Sequence, residues 1–168
     1  TPTLPLWKNA ALPVNEKEGG TMKLIHIGIL TPSLEDSIRG FQSFPDFAEA
    51  KWLIREVEFP PEAVLTGKGS PMRTAIANLG GMTCELIQPL DPTSYHAEEL
   101  RKKGECLHHT AFMCLENQQE VVESQLKRGG KIVWEAQAGE KHPIYVESPD
   151  GKQVWEFINY IPGQPEET

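Results

Sequence analysis

The sequence predicts an α+β fold made of two similar halves, each a strand, a helix and then further strands. Three observations predict it. The segment His26-Ile27-Gly28-Ile29-Leu30 is echoed by His109-Thr110-Ala111-Phe112-Met113, and a helical stretch begins several residues after each histidine. The segment Glu85-Leu86-Ile87-Gln88-Pro89 is echoed by Glu156-Phe157-Ile158-Asn159-Tyr160. Fourteen Gly and fourteen Pro in 168 residues favour many turns and short strands over long helices.

Taken in order, residues 1–21 carry Pro2, Pro5 and Pro13 and then Gly19-Gly20, and read as an irregular extension. The first half spans 22–92. Leu24–Leu30 is rich in β-branched residues and reads as a strand. Ser33 is placed to cap a helix that runs to about Phe41, with Glu35 and Asp36 in its first turn. Gly40 and Pro45 break it. In the next segment, Phe47–Ile54 suits a helical turn and Ile54–Phe59 a strand. Met72–Asn78 and Met82–Gln88 form a hairpin around Gly80-Gly81. Residues 93–105 read as a linker helix around His96–Lys103. The second half spans 106–162: strand Leu107–Cys114, helix Asn117–Arg128 stopped by Gly129-Gly130, and strands Lys131–Glu135, Pro143–Glu147 and Gln153–Tyr160. Residues 163–168 are a tail.

The formal net charge is −8, with no basic stripe, which argues against nucleic acid and anionic membrane as partners. An anionic substrate would need a local cationic pocket. No apolar run reaches the roughly 18 residues of a membrane span. Cys84, Cys106 and Cys114 form no disulfide framework, and a cytoplasmic protein is expected.

A His or Glu in the middle of an apolar strand is costly to bury alone. Strand alternation groups His26 with Gly28, Glu85 with Ile87, His109 with Ala111, and Glu156 with Ile158. If the halves pair about a pseudo-twofold axis, both histidines and both glutamates converge inside a cupped sheet. Two imidazoles and two carboxylates suit one divalent metal ion, Zn, Ni, Co or Mn. His108 competes with His109 for one position. His109 is preferred because Ala111 follows it as Gly28 follows His26, and these small residues leave room above the metal for substrate. His108 is then expected on the outer face, and His96 and His142, near turns, at the surface. Arg73 is a candidate for a bidentate hold on a substrate carboxylate.

At this point the sequence resembles the vicinal-oxygen-chelate superfamily (glyoxalase, bleomycin resistance and dioxygenase proteins). The resemblance rests on Leu24–Ile29, Asn78-Leu79-Gly80 leading into Cys84–Leu90, Leu107–Phe112, His142-Pro143-Ile144, and Ser148–Gly151 before Trp155-Glu156-Phe157. It implies two paired βαβββ modules forming a cupped mixed sheet around a metal held by His26, Glu85, His109 and Glu156. Within the superfamily, the methylmalonyl-CoA epimerase branch looks most similar. That implies a metal-dependent isomerase that stabilises the enolate of a CoA thioester or related chelating substrate, with Glu156 and then Glu85 as candidate bases. The third strand, Met72–Leu79, has no further acid of the kind some epimerases carry, which leaves Glu147 as another candidate. The alternatives are a glyoxalase I-like lyase on a hemithioacetal and a non-catalytic small-molecule binding or resistance protein. Extradiol ring cleavage uses two His and one Glu, so a fourth ligand, Glu85, argues against it. A homodimer is expected on the resemblance.

Overall fold

The strands form where β-branched and aromatic residues cluster between Gly, Pro and Asn turns. The computed structural model describes residues 22–69 and 71–160; the predicted extension and tail lie outside them. The first half runs β1 (Lys23–Leu30), α1 (Leu34–Gln42), β2 (Leu53–Val57), β3 (Val64–Thr66), β4 (Met72–Leu79) and β5 (Met82–Pro89). Then come α2 (Tyr95–Lys103), β6 (Cys106–Met113), α3 (Gln118–Lys127), β7 (Lys131–Ala136), β8 (Ile144–Glu147) and β9 (Val154–Ile158).

All nine strands share one sheet, in the order β2-β4-β5-β1-β6-β9-β8-β7-β3. The antiparallel β1·β6 pair is its centre. On one side β5 runs parallel to β1, and on the other β9 runs parallel to β6. The sheet is thus two copies of one pattern related across β1·β6, as the repeated motifs predict. β3 breaks the symmetry. Only six residues, 58–63, connect β2 at one end of the strand order to β3 at the other. Six residues reach at most roughly 20 Å, so the sheet curls until its two edges face each other.

The curl gives the sheet a convex and a concave face. On the convex face Leu34 of α1, with Ile38 and Phe41, packs on Ala75, Cys84 and Leu86. Likewise Val122 of α3 packs on Cys114, Val146 and Phe157. Each fully buried Leu or Phe contributes roughly 1.5–3 kcal/mol, so these two clusters fix where each helix lies. Ser33 caps α1 by accepting from the Asp36 N–H at 3.2 Å.

The other helix, α2, lies on the opposite face. Leu100 joins Leu30 and Ile87, the strand neighbours of the convex-facing Ile29 and Leu86, and the cavity-lining Met72. Ser94 caps α2, and Glu99 takes Lys103 at 2.5 Å and Lys102 at 3.3 Å. The segment expected to be a linker therefore plugs one end of the cup.

The strap across the edges is held at both ends. The Gln137 N–H donates to the Ala63 carbonyl at 2.7 Å, and Trp134 Nε1 donates to the Lys68 carbonyl at 3.0 Å. Phe59 meets Trp134 edge to face at 5.4 Å. The helical turn expected from Phe47 is only a 3-10 turn at Pro45–Phe47, and the following strand is Leu53–Val57. Among the described residues, no helix is long and apolar enough to cross a membrane.

Candidate metal centre

His26, Glu85, His109 and Glu156 come together on the concave face, one His and one Glu from each half. One ligand atom from each lies within 4.8 Å of all the others. The two Nε2 atoms are 3.2 Å apart. His26 Nε2 is 3.3 Å from Glu85 Oε2 and 3.1 Å from Glu156 Oε2, and His109 Nε2 is 3.8 and 3.3 Å from the same two oxygens.

Strand register explains the meeting. Gly28 of β1 stands opposite both Glu85 and His109. By the same pattern, Ala111 of β6 stands opposite both His26 and Glu156. Each small residue is thus flanked by the acid of its own half and the histidine of the other. A Cβ on Gly28 would lie 2.1 to 2.6 Å from the His109 ring atoms. Gly28 therefore makes room for His109. Neither Gly28 nor Ala111 lines the cavity, and the space above Gly28 is filled by the His109 ring.

Two β-bulges tune the aim. The β1·β6 register shifts between Leu24 and His26, and again at His108, immediately before His109. Bulges re-aim side chains, often beside functional sites. Here the second bulge corrects the sequence reading: His108 is 5% exposed and lies under His109, not on the outer face. His96 is also misplaced by that reading, being fully buried at the start of α2. His142 is half-buried, with Nε2 2.8 Å from Glu135.

The electrostatics fit a cation. Burial alone would depress His26, but the hydrogen bonds and charges of Glu156 and Glu85 outweigh it and raise its pKa from 6.5 to about 10. Burial would raise Glu156, but the charges and hydrogen bonds of His109 and His26 hold it well below the usual carboxylate range. Oε2 of Glu156 is buried, with the His26 and His109 Nε2 atoms 3.1 and 3.3 Å away. Convergent nitrogen and oxygen lone pairs with a net demand for positive charge are what a divalent ion satisfies.

A pH dependence follows. With no metal bound, His26 carries a proton at neutral pH. Its folded pKa exceeds its unfolded one, so its stabilisation is complete below about 6.5 and is lost as pH rises toward about 10. A cation must displace that proton. Co2+ affinity is therefore expected to rise about tenfold per pH unit between pH 6 and 8. Calorimetry in buffers of different ionisation enthalpy should show about one proton released; none would contradict the pairing.

A cavity of about 150 Å³ opens above the cluster, and His26, Glu85 and Glu156 line it. Its walls include Phe59 of the strap, Trp134, Tyr145 and Tyr160, and both halves add a cation to its lining, Arg55 and Lys141. Sequence reasoning missed these two. The signal for Arg55 is its parity with Val57 on β2, which also faces the cavity. Arg73 lies on the opposite face of β4 from the cavity-lining Met72 and Thr74, and pairs with Glu35 at 2.8 Å. A hold on a substrate in this cavity does not fit that placement. Glu147 does not line the cavity either. Among the described residues, its acids are Glu85 and Glu156.

Comparison with solved structures finds the same fold at low identity. A hypothetical protein from Bacillus halodurans C-125 is 22% identical, with a TM-score of 0.60 over 87% of this chain and 99% of that one. Methylmalonyl-CoA epimerase from Mycobacterium tuberculosis is 17% identical, with a TM-score of 0.58 over 83% of this chain and 88% of that one. A variant of the Streptomyces coelicolor methylmalonyl-CoA epimerase, in complex with 2-nitronate-propionyl-CoA, is 17% identical, with a TM-score of 0.56 over 81% and 92%. No curated protein matches the chain. The profile of one family matches residues 25–146, the greater part of the sequence and three of the four clustered residues. With its curled sheet and its duplicated halves, the chain belongs to the Glyoxalase/Bleomycin resistance protein/Dioxygenase superfamily.

Proposed function

We propose that the protein is a metal-dependent isomerase of the epimerase type, acting on a small anionic acyl compound such as a CoA thioester. His26, Glu85, His109 and Glu156 would hold the ion. The chemistry such a cation supplies when bound is Lewis-acid polarisation of a carbonyl oxygen. The observation that carries the reading is the convergence of the four side chains, three of which, His26, Glu85 and Glu156, line one cavity.

The chain's own groups divide the remaining work. Epimerisation moves a proton off one face of a carbon and onto the other. Two acids from opposite halves line the cavity and stand 3.3 and 3.1 Å from the same imidazole nitrogen. Glu156 takes the proton from the carbon next to the carbonyl; the C–H electron pair becomes a C=C bond and the C=O π pair moves onto oxygen. Glu85, entering the step protonated, delivers its proton to the opposite face of that carbon as the C=O bond re-forms. Burial raises the pKa of Tyr160, so its phenol stays protonated as a donor beside them. Phe59, Trp134 and the strap exclude water. Arg55 and Lys141 give this acidic protein a local positive field, suited to a substrate carboxylate or phosphate.

A glyoxalase-like lyase is the second reading. It is favoured by the lack of a third acid in the cavity lining among the described residues, since both proton-transfer groups would then have to be ligands. The test is deuterium uptake from D2O by methylmalonyl-CoA, beside turnover of a methylglyoxal–thiol hemithioacetal, with Co2+-loaded protein. Uptake at the carbon next to the thioester carbonyl supports the isomerase. Hemithioacetal turnover without uptake assigns the lyase, and neither reaction leaves a binding protein.

A further inference from the structure

His109 is held from behind as well as from the cavity side. Its Nδ1 lies 3.0 Å from Nδ1 of His108, and Nε2 of His108 lies 3.2 Å from the Tyr95 hydroxyl. Strand alternation would send His108 and His109 to opposite faces. The bulge at His108 brings their rings to 5.3 Å, nearly perpendicular, so that the two Nδ1 atoms meet. Tyr95 is delivered by the first turn of α2, which Ser94 caps. Tyr145 packs against both imidazoles, at 5.0 and 5.4 Å, and its hydroxyl is 3.3 Å from His96 Nε2. In this polar chain His96, His108, His109 and Tyr145 are buried and Tyr95 is partly buried; of these only Tyr145 lines the cavity.

The direction of its protons is fixed by chemistry. An imidazole offers a lone pair at Nε2 only when its proton sits on Nδ1. Nδ1–H of His109 must then donate, and Nδ1 of His108 is the acceptor in reach. An Nδ1 that accepts leaves the His108 ring proton on Nε2, 3.2 Å from the Tyr95 oxygen, to which it is donated. His108 thus accepts at Nδ1 and donates at Nε2, and the chain ends on the Tyr95 oxygen.

We propose that His108 and Tyr95 are positioning residues, a directed hydrogen-bond chain that fixes the tautomer and ring angle of His109 so that Nε2 faces His26, Glu85 and Glu156. The proposal rests on reading the four-residue cluster as a cation site. Partners behind a ligating histidine typically matter by about 10- to 100-fold in metal affinity. The chain also gives α2 a role: its docking in the cup completes the site.

The experiment is Co2+ titration of the full chain and of His108→Leu, His108→Asn and Tyr95→Phe, followed by visible absorption. His108→Leu is expected to bind at least tenfold more weakly. His108→Asn, which keeps an amide oxygen near the lost acceptor, should recover most of that loss. Tyr95→Phe keeps the ring packing and should bind roughly threefold more weakly. In Zn2+-loaded 15N-histidine protein, the His109 Nδ1–H resonance should be slow to exchange and should broaden in both His108→Leu and Tyr95→Phe. A merely structural role would not produce the Asn rescue or the resonance change. If His108→Leu does not fold, Tyr95→Phe decides: affinity and exchange equal to the parent overturn the proposal. Less than tenfold loss in a folded His108→Leu, or no rescue by Asn, overturns it too. If the parent protein binds no Co2+, the cluster reading fails and takes this one with it. If the parent binds and the variants bind equally, only the positioning chain fails.

Discussion

Glu156→Gln is expected to weaken Co2+ binding roughly 100- to 4,000-fold at pH 7 and to abolish deuterium uptake. The amide is nearly isosteric, so the fold should persist. What is lost is the charge that balances a cation and holds His26 protonated without one. Breaking one partner out of a buried charge pair costs about 3–5 kcal/mol, and each 1.4 kcal/mol is tenfold in affinity. In the metal-free protein, His26 would keep Glu85 alone, and its pKa should fall. The stabilisation that the parent loses toward pH 10 should then be lost at lower pH, because a smaller upward shift closes the window earlier. Denaturant unfolding of metal-free protein at pH 6, 8 and 9 reads this directly. Equal Co2+ affinity in parent and variant would place the ion elsewhere.

Gly28→Ala should do nearly as much damage without touching a ligand. Inside a strand, Gly normally costs stability relative to Ala, so the default expectation is a gain. Here the new methyl would sit about 2 Å from the His109 ring. β1 is pinned on both sides, to β5 and β6, and His109 is buried, so neither strand nor ring has space to yield. A loss of about 1–3 kcal/mol is expected, with at least 100-fold weaker Co2+ binding as Nε2 is driven off the cluster. Gly40 is the control. It lies in α1, a Cβ there meets nothing within 4 Å, and Gly40→Ala should gain roughly 0.5–1 kcal/mol with binding unchanged. Thermal midpoints and Co2+ titration separate the two; a neutral Gly28→Ala would show that the ring can move.

The convergence of the four side chains was legible because the motif is written twice. One strand histidine or one strand glutamate carries little information, but the matching of His26 with His109 and of Glu85 with Glu156 in equivalent strands left few geometries open. Period-two alternation then put the right atoms on one face, and the small residues at 28 and 111 marked where side chains cross. What failed was everything that breaks the period. A bulge is a one-residue fault in register with no composition of its own, so His108 was assigned to the wrong face. β3 is three residues long, too short to show alternation, so the strap and its closure of the cup went unseen. His96 lies beside a turn but is buried by α2 docking on Trp134 and Tyr145, a contact between distant segments. Arg73 and Arg55 differ only in which face their strands present. β4 is packed on both faces, so the sequence did not reveal that Thr74 and not Arg73 faces inward.

The proposed function requires one cation shared by two half-sheets. Titration of purified, metal-stripped protein with Co2+, against a His26→Ala/His109→Ala double variant, addresses it most directly. The parent should take up one equivalent per chain with an affinity on the order of micromolar or tighter, and the double variant should take up none at that site. No uptake by the parent at millimolar Co2+, or identical uptake by both proteins, would contradict it.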